Sequence, residues 1–421
     1  MYNIKTLQNG TRVISLHMPY MESISVGYWI GVGGRNEDSN SAGISHFLEH
    51  LLFKGTEKRN ALEITHMIEG AGGSMNAFTS EECTCYFAKV LKNKLPVAID
   101  IISDMFLNAV IREEDVQRER NIILEELHMG IDSPSHHVID DLNNILWANH
   151  SLGRRLIGSK ESINNIKASD LSQYKNDYYI PSKTVISIAG NLSNVNCNDV
   201  VEKYFNSDIC GKPVPITEFI DKQEEVNISV RERKTEQTHM AMGIKAYARG
   251  DFRRNVLRLL NLILGGNMSS RLFQTIREEK GLSYDISSSV ETFIDAGAIV
   301  ISAGLDNNRV AESISCILKQ LKRLKNEKIT KKELGNAKEY AIGRLLLMNE
   351  KTTSQIMYAG EQLLFLDKVL SLNKIIEEIE KISVEDINCM ANDLFDNNKL
   401  SLALIGPIDN HDEIRDELLA D

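Results

Sequence analysis

One spacing recurs through this chain and limits what it can fold into. Asp170 and Asp386 lie 216 residues apart, as do Gly190 and Gly406, and Gly27 and Gly243. Each Asp is followed by a bulky pair (Tyr178-Tyr179, Leu394-Phe395), an apolar run (184–189, 400–405) and then the glycine. Self-similarity at a fixed period marks a structural unit that has been copied. The 421 residues therefore read as two domains of about 210 residues, ordinary sizes for independent cores.

Within each copy, short β-branched and aromatic runs precede long periodic stretches. TRVISLHM and ISVGYWIGV read as strands. Helices are expected near 42–54, 60–71, 93–108, 112–129 and 136–149, and again near 252–264, 268–279, 307–325 and 330–349. The fold class expected is α+β: two duplicated domains, each a mostly antiparallel sheet flanked by helices. The stretch around 207–235 holds two of the seven prolines and dense charge. This places a first domain at 1–212, a linker at 213–230 and a second domain at 231–421.

Composition excludes several classes of function. Basic residues number 48 and acidic residues 59, a net charge of −11, so a general nucleic-acid binder is not expected. No run approaches the ~18 apolar residues needed to span a bilayer, and the start, MYNIKTLQNG, has no secretory or transit character. Cys83, Cys85, Cys197, Cys210, Cys316 and Cys389 form no C-x-x-C pair. Thiols used this way suit a reducing, cytoplasmic compartment.

Chemistry concentrates in AGISHFLEHLLFK, which ends at Gly55, a glycine suited to stopping a helix. His46 and His50, four apart, lie roughly 40° from each other around a helix, so both imidazoles can reach one ion. Glu49, about 60° to the other side of His46, stays close to their face and can take a proton from a water beside that ion. The order H-x-x-E-H inverts the commoner H-E-x-x-H zinc motif. A catalytic zinc needs a third protein ligand and one open position. The acidic helix REEDVQRERNIILEELHMG, expected to end at Gly130, offers Glu119 and Glu126, two turns apart on one face. His128, His136 and His137 are rivals by proximity and read as surface histidines.

These segments resemble the insulinase/pitrilysin family of zinc peptidases, the inverzincins, and most closely its short-chain, processing-peptidase-like branch. The resemblance spans nearly the whole chain, through LQNGTRVISL, GGRNEDSNSAGISHFLEHLLFKGTEKR, GGSMNAFTSEECTCYFA, REEDVQRERNIILEEL and LGGNMSSRLFQTIREEKGLSYDISSS. It implies that His46, His50 and Glu126 hold one Zn2+ per chain. Glu126 lies 76 residues after His50, about the family's spacing. It further implies Glu49 as general base, Glu119 as its supporting glutamate, and a peptide substrate that adds as an extra strand along Asn76, Ala77 and Phe78. Arg277 and Tyr284 would grip that substrate. Without the resemblance, Gly72-Gly73 and Asn76 read as a turn into a strand, and Arg277 as a solvated helix end before Gly281.

At the 216-residue offset, His46, Glu49 and His50 face Leu262, Gly265 and Gly266. The second copy is therefore expected to be non-catalytic and to carry the Arg277/Tyr284 pair. Longer relatives join two such two-domain units in one polypeptide. This chain is expected to enclose its substrate with another chain, as a homodimer or with a sister subunit. The rival from another class is a non-proteolytic assembly subunit.

Overall fold

The computed structural model describes residues 2–193, 195–207, 209–408 and 411–419. The chain divides into two compact units that do not follow sequence order. One comprises Met1–Leu127, Arg154–Thr217 and Leu346–Ser371, the other His128–Gly153, Glu218–Leu345 and Leu372–Asp421.

The first unit is built on a six-stranded sheet of β1 (Asn3–Thr6), β2 (Arg12–His17), β3 (Ser23–Ile30), β4 (Ser74–Thr79), β5 (Thr84–Leu91) and β6 (Thr184–Gly190), in spatial order β1-β2-β6-β3-β5-β4. All neighbours are antiparallel except β2 and β6. The second sheet contains β7 (Asn227–Glu232), β8 (Thr238–Ala246), β9 (Ser283–Thr292), β10 (Gly297–Leu305) and β11 (Leu400–Gly406), in order β7-β11-β8-β10-β9. Here too one neighbouring pair, β7 and β11, is parallel. β6 and β11, the runs ending at the repeated Gly190 and Gly406, are buried at every position. A strand without polar alternation is one covered on both faces. The α+β duplication expected from the 216-residue spacing is the architecture found.

The discontinuity of the units has a specific origin. Helix Pro134–Leu146 packs on β8 and β11 of the second sheet, and helix Thr352–Leu366 packs on β3 and β6 of the first. The 216-residue offset carries 134–146 onto 350–362, so these are equivalent helices, each seated on the other copy's sheet. The repeated glycines lie beneath them. A Cβ at Gly27 would come 3.4 Å from Ile356 Cδ1, and one at Gly243 would come 3.0 Å from Leu146 Cδ1. On the first sheet Trp29, Ala359 and Leu363 share a buried cluster. On the second, Leu142, Leu146 and Trp147 pack with Ala241, Ala298 and Ile405. Sequence order alone cannot reveal such an exchange, because both helices carry an apolar face that suits either sheet.

Local boundaries shift in three places. Residues 227–230 of the expected linker already belong to β7, whose pairing with β11 is a long-range contact. The acidic helix continues through Gly130 to Asp132; a Cβ at Gly130 would meet nothing, so the residue neither needs nor forces a turn. The turn carrying Arg277 is a π-helix, Phe273–Glu279.

At Gly360 helix Thr352–Leu366 lies close against the first sheet: a Cβ there would fall 2.0 Å from Trp29 Nε1, which donates to Ser187 Oγ at 2.9 Å. Gly360→Ala is expected to destabilise the protein by about 1–3 kcal/mol through overpacking, read as a lower denaturant midpoint at unchanged slope. An unchanged midpoint would mean that this helix is not seated on Trp29.

Candidate metal centre

The helix Ile44–Leu52 owes its position to one buried face and an unusual N-terminus. Phe47, Leu48, Leu51 and Leu52 are buried, which turns His46, Glu49 and His50 toward a half-buried surface. Gly43, at the N-cap, has φ +93° and offers no side chain. Its place is taken by Glu37, whose carboxylate accepts from the Gly43 N–H at 2.7 Å and the Ser45 N–H at 2.8 Å. An anion satisfying the free amides of a helix start is favourable. Burial pushes the Glu37 carboxyl up to about 7, against the downward pull of these hydrogen bonds. The acidic helix Glu113–Asp132 is located by Arg120. Its guanidinium donates to the Ile163 and Ile166 carbonyls at 3.1 and 2.7 Å and lies 5.7 Å from the Phe47 ring.

Between these helices the ligand atoms converge. Glu126 Oε2 lies 3.6 Å from His50 Nε2 and 3.9 Å from His46 Nε2. Among the described residues, His46, His50 and Glu126 are the group able to hold a metal ion, with one ligand atom from each inside 4.8 Å. These gaps are too wide for hydrogen bonds. They approach the ligand separation of about 3.4 Å in a tetrahedral site with bonds near 2.1 Å. Burial, then the neighbouring His50, lowers His46 to about 4, leaving its imidazole neutral with a lone pair to give. Two imidazoles and a carboxylate at this spacing fit zinc.

The surrounding groups orient the set. His50 Nδ1 meets Glu119 Oε2 at 3.1 Å. Glu49 Oε2 accepts from Thr79 Oγ1 at 2.6 Å, tying the motif helix to the end of β4. Burial raises the Glu49 carboxyl above its usual range, while the Thr79 hydrogen bond and His50 pull it down and Glu126 raises it further. Thr79 and Lys54 escaped the sequence reading. Lys54 is four residues beyond His50, a helical spacing that could have flagged it; the reach of Thr79 depends on how β4 meets the helix.

β4 is an edge strand, paired with β5 on one side. Asn76 is exposed and Ala77 half-buried, and Asn76 Oδ1 accepts from the Ala77 N–H at 2.8 Å. The half-buried Phe78 ring packs against Trp29 and Phe87 of the same sheet, 5.7 and 6.4 Å away. In the second unit, Arg277 stacks between Phe273 and Tyr284, 4.7 and 5.3 Å from the ring centres, and Tyr284 is 81% exposed. His128 and His136 are exposed and outside the metal group. His137, expected at the surface, is instead buried with Nδ1 at 3.1 Å from the Ile131 carbonyl, because it falls on the inner face of its helix.

The equivalent region of the second copy is closed by backbone. Gly265, in the place of Glu49, accepts from the Ser288 N–H of β9 at 2.9 Å, and a Cβ there would lie 3.0 Å from that nitrogen. A side chain at this position would push the strand away.

Comparison with known proteins agrees with this duplicated design. The insulinase domain (peptidase family M16) matches residues 12–160, and the M16 inactive domain matches residues 165–340. The chain is 40% identical to the uncharacterized zinc protease YmxG of Bacillus subtilis, over 96% of this chain and 98% of that one. It is 36% identical to the uncharacterized zinc protease Rv2782c of Mycobacterium tuberculosis, over 96% and 92% of the two chains. Among solved structures, a protease from Helicobacter pylori superposes with a TM-score of 0.91 at 25% identity, covering 97% of this chain and 99% of that one. With both M16 domains in order and relatives aligned over nearly its full length, this chain belongs to the insulinase family of peptidases, M16.

Proposed function

We propose that this chain is a zinc endopeptidase in which His46, His50 and Glu126 hold one ion and Glu49 is the general base. The observation that carries this reading is the convergence of three ligand atoms beside a carboxylate that an edge strand holds in place. When bound, zinc would polarise the scissile carbonyl and make water a better nucleophile at neutral pH. Thr79 occupies Glu49 Oε2, leaving Oε1 to take the proton from the attacking water and return it to the departing amine. The substrate is a peptide or extended segment that adds to the free side of β4 through its own backbone, with Asn76, Ala77 and Phe78 alongside. The names of the relatives, zinc proteases, support the same chemistry.

The full set of ligands and base counts against a non-proteolytic assembly role. A second chain would complete the substrate enclosure, and the juxtaposed Arg277 and Tyr284 favour an identical copy over a sister subunit. Among the described residues no helix is long and apolar enough to cross a membrane. Among the described residues no two cysteines are joined by a disulfide, which suits a cytoplasmic setting.

Glu49→Gln is expected to lower kcat/KM on a peptide mixture by about 10²–10⁴-fold while zinc content stays near one per chain. Cleavage at the wild-type rate would rule out the mechanism. Glu126→Gln should come off a desalting column without zinc; retained metal would move the third ligand elsewhere. Mixing an Arg277/Tyr284 double variant with Glu49→Gln should restore cleavage if one chain supplies grip to another. Absence of rescue after verified subunit exchange would count against the shared arrangement.

A further inference from the structure

We propose that Lys54 is a positioning residue of the metal centre, acting on His50 through Glu119. The inference rests on the reading that His46, His50 and Glu126 hold zinc, and it assigns a part to a residue outside that set.

The acidic helix and the motif helix, with the turn just past its end that carries Lys54, meet as a ladder. His46, His50 and Lys54 succeed one another at four-residue steps, while Glu126 and Glu119 stand seven apart on the facing helix. Glu126 lies against His46 and His50, and Glu119 against His50 and Lys54. Glu119 is held at both oxygens: Oε2 at 3.1 Å from His50 Nδ1, and Oε1 at 2.7 Å from Lys54 Nζ. Its side chain is 5% exposed, and among the described residues Lys54 and His50 are its ion-pair partners. A buried carboxylate needs a cation or several donors to stay in place. Exposed pairs contribute little, but this one has its acidic end inside and only its lysine end reaching solvent.

The consequence falls on His50. A carboxylate can only accept, so its contact places the ring proton on Nδ1 and leaves the Nε2 lone pair facing Glu126. With Oε1 tied to Lys54, the carboxylate cannot rotate away from the imidazole. No parallel support exists for the other imidazole: His46 Nδ1 is buried without a hydrogen-bond partner among the described residues. Among the described residues, the hydrogen-bonded support of the imidazole pair is therefore the chain Lys54–Glu119–His50. Removing the lysine frees Glu119 to turn toward solvent and unlocks the His50 ring.

The test measures zinc affinity of the metal-free protein by competition with a chromophoric chelator, with folding monitored by thermal melt. Outer partners of metal ligands are worth about 10–100-fold in affinity, so Lys54→Met is expected to weaken zinc binding by about tenfold. Lys54→Arg, which keeps the cation, should return to within about threefold of wild type. In a Glu119→Gln background the Lys54→Met effect should vanish, because a residue acting through another cannot add to its loss. If Lys54→Met does not fold, Lys54→Gln replaces it, with a loss of about fivefold expected. Unchanged affinity without the lysine, failure of arginine to rescue, or full additivity with Glu119→Gln would each overturn the proposal. A wild-type protein that takes up no zinc would overturn the metal-site reading itself, a distinguishable result.

Discussion

Bringing one carboxylate against two imidazoles requires two helices to meet at a set height and roll. The rest of the first unit can be understood as what holds them there. The motif helix is oriented by its buried face and by the Glu37 carboxylate at its start. The acidic helix is held by Arg120, which caps a neighbouring helix end and covers Phe47 of the motif helix. Thr79 links the motif helix to the free edge of the sheet. Removing any of these supports would leave the ligands in the sequence and displace them in space, and a metal site tolerates little displacement.

Duplication supplied two scaffolds, and the copies diverged at the same place in the fold. In the first, the helix beside the edge strand carries a carboxylate and two imidazoles; in the second, Gly265 lets that strand bond directly to the helix end. Losing the side chains without closing the gap would have left buried backbone amides unpaired, which is costly. The exchange of helices Pro134–Leu146 and Thr352–Leu366 preserves the repeat while making each core depend on both halves of the sequence. Gly243 belongs to this exchange, since a Cβ there would crowd Leu146 and Leu142 of the incoming helix, whereas the tight neighbours of Gly27 are Ser187 and Trp29 of its own sheet.

Much of this was legible in the amino-acid order. The 216-residue spacing announces two copies. The i, i+4 histidines with an intervening glutamate announce a metal-ready helix, and the seven-residue step from Glu119 to Glu126 announces a shared face. These are local periodicities, and a helix turns its residues through the same angle wherever it sits. The choice of Glu126 over nearby histidines needed either the family resemblance or the fold, because proximity in sequence does not say which face points inward. His137 illustrates the difficulty: beside the exposed His136, it is buried.

By itself, then, the sequence determined the duplication, the α+β class and the chemical identity of the candidate ligands. The tertiary structure decided which sheet each exchanged helix covers, that Phe78 packs against Trp29 beside an exposed Asn76, and that Lys54 and Thr79 contact the candidate site. The reason is one of range. Helical and strand periods are written in neighbouring residues, whereas Thr79 meets Glu49 across 30 residues and Lys54 meets Glu119 across 65. Contacts of that kind exist only once the strands and helices have packed.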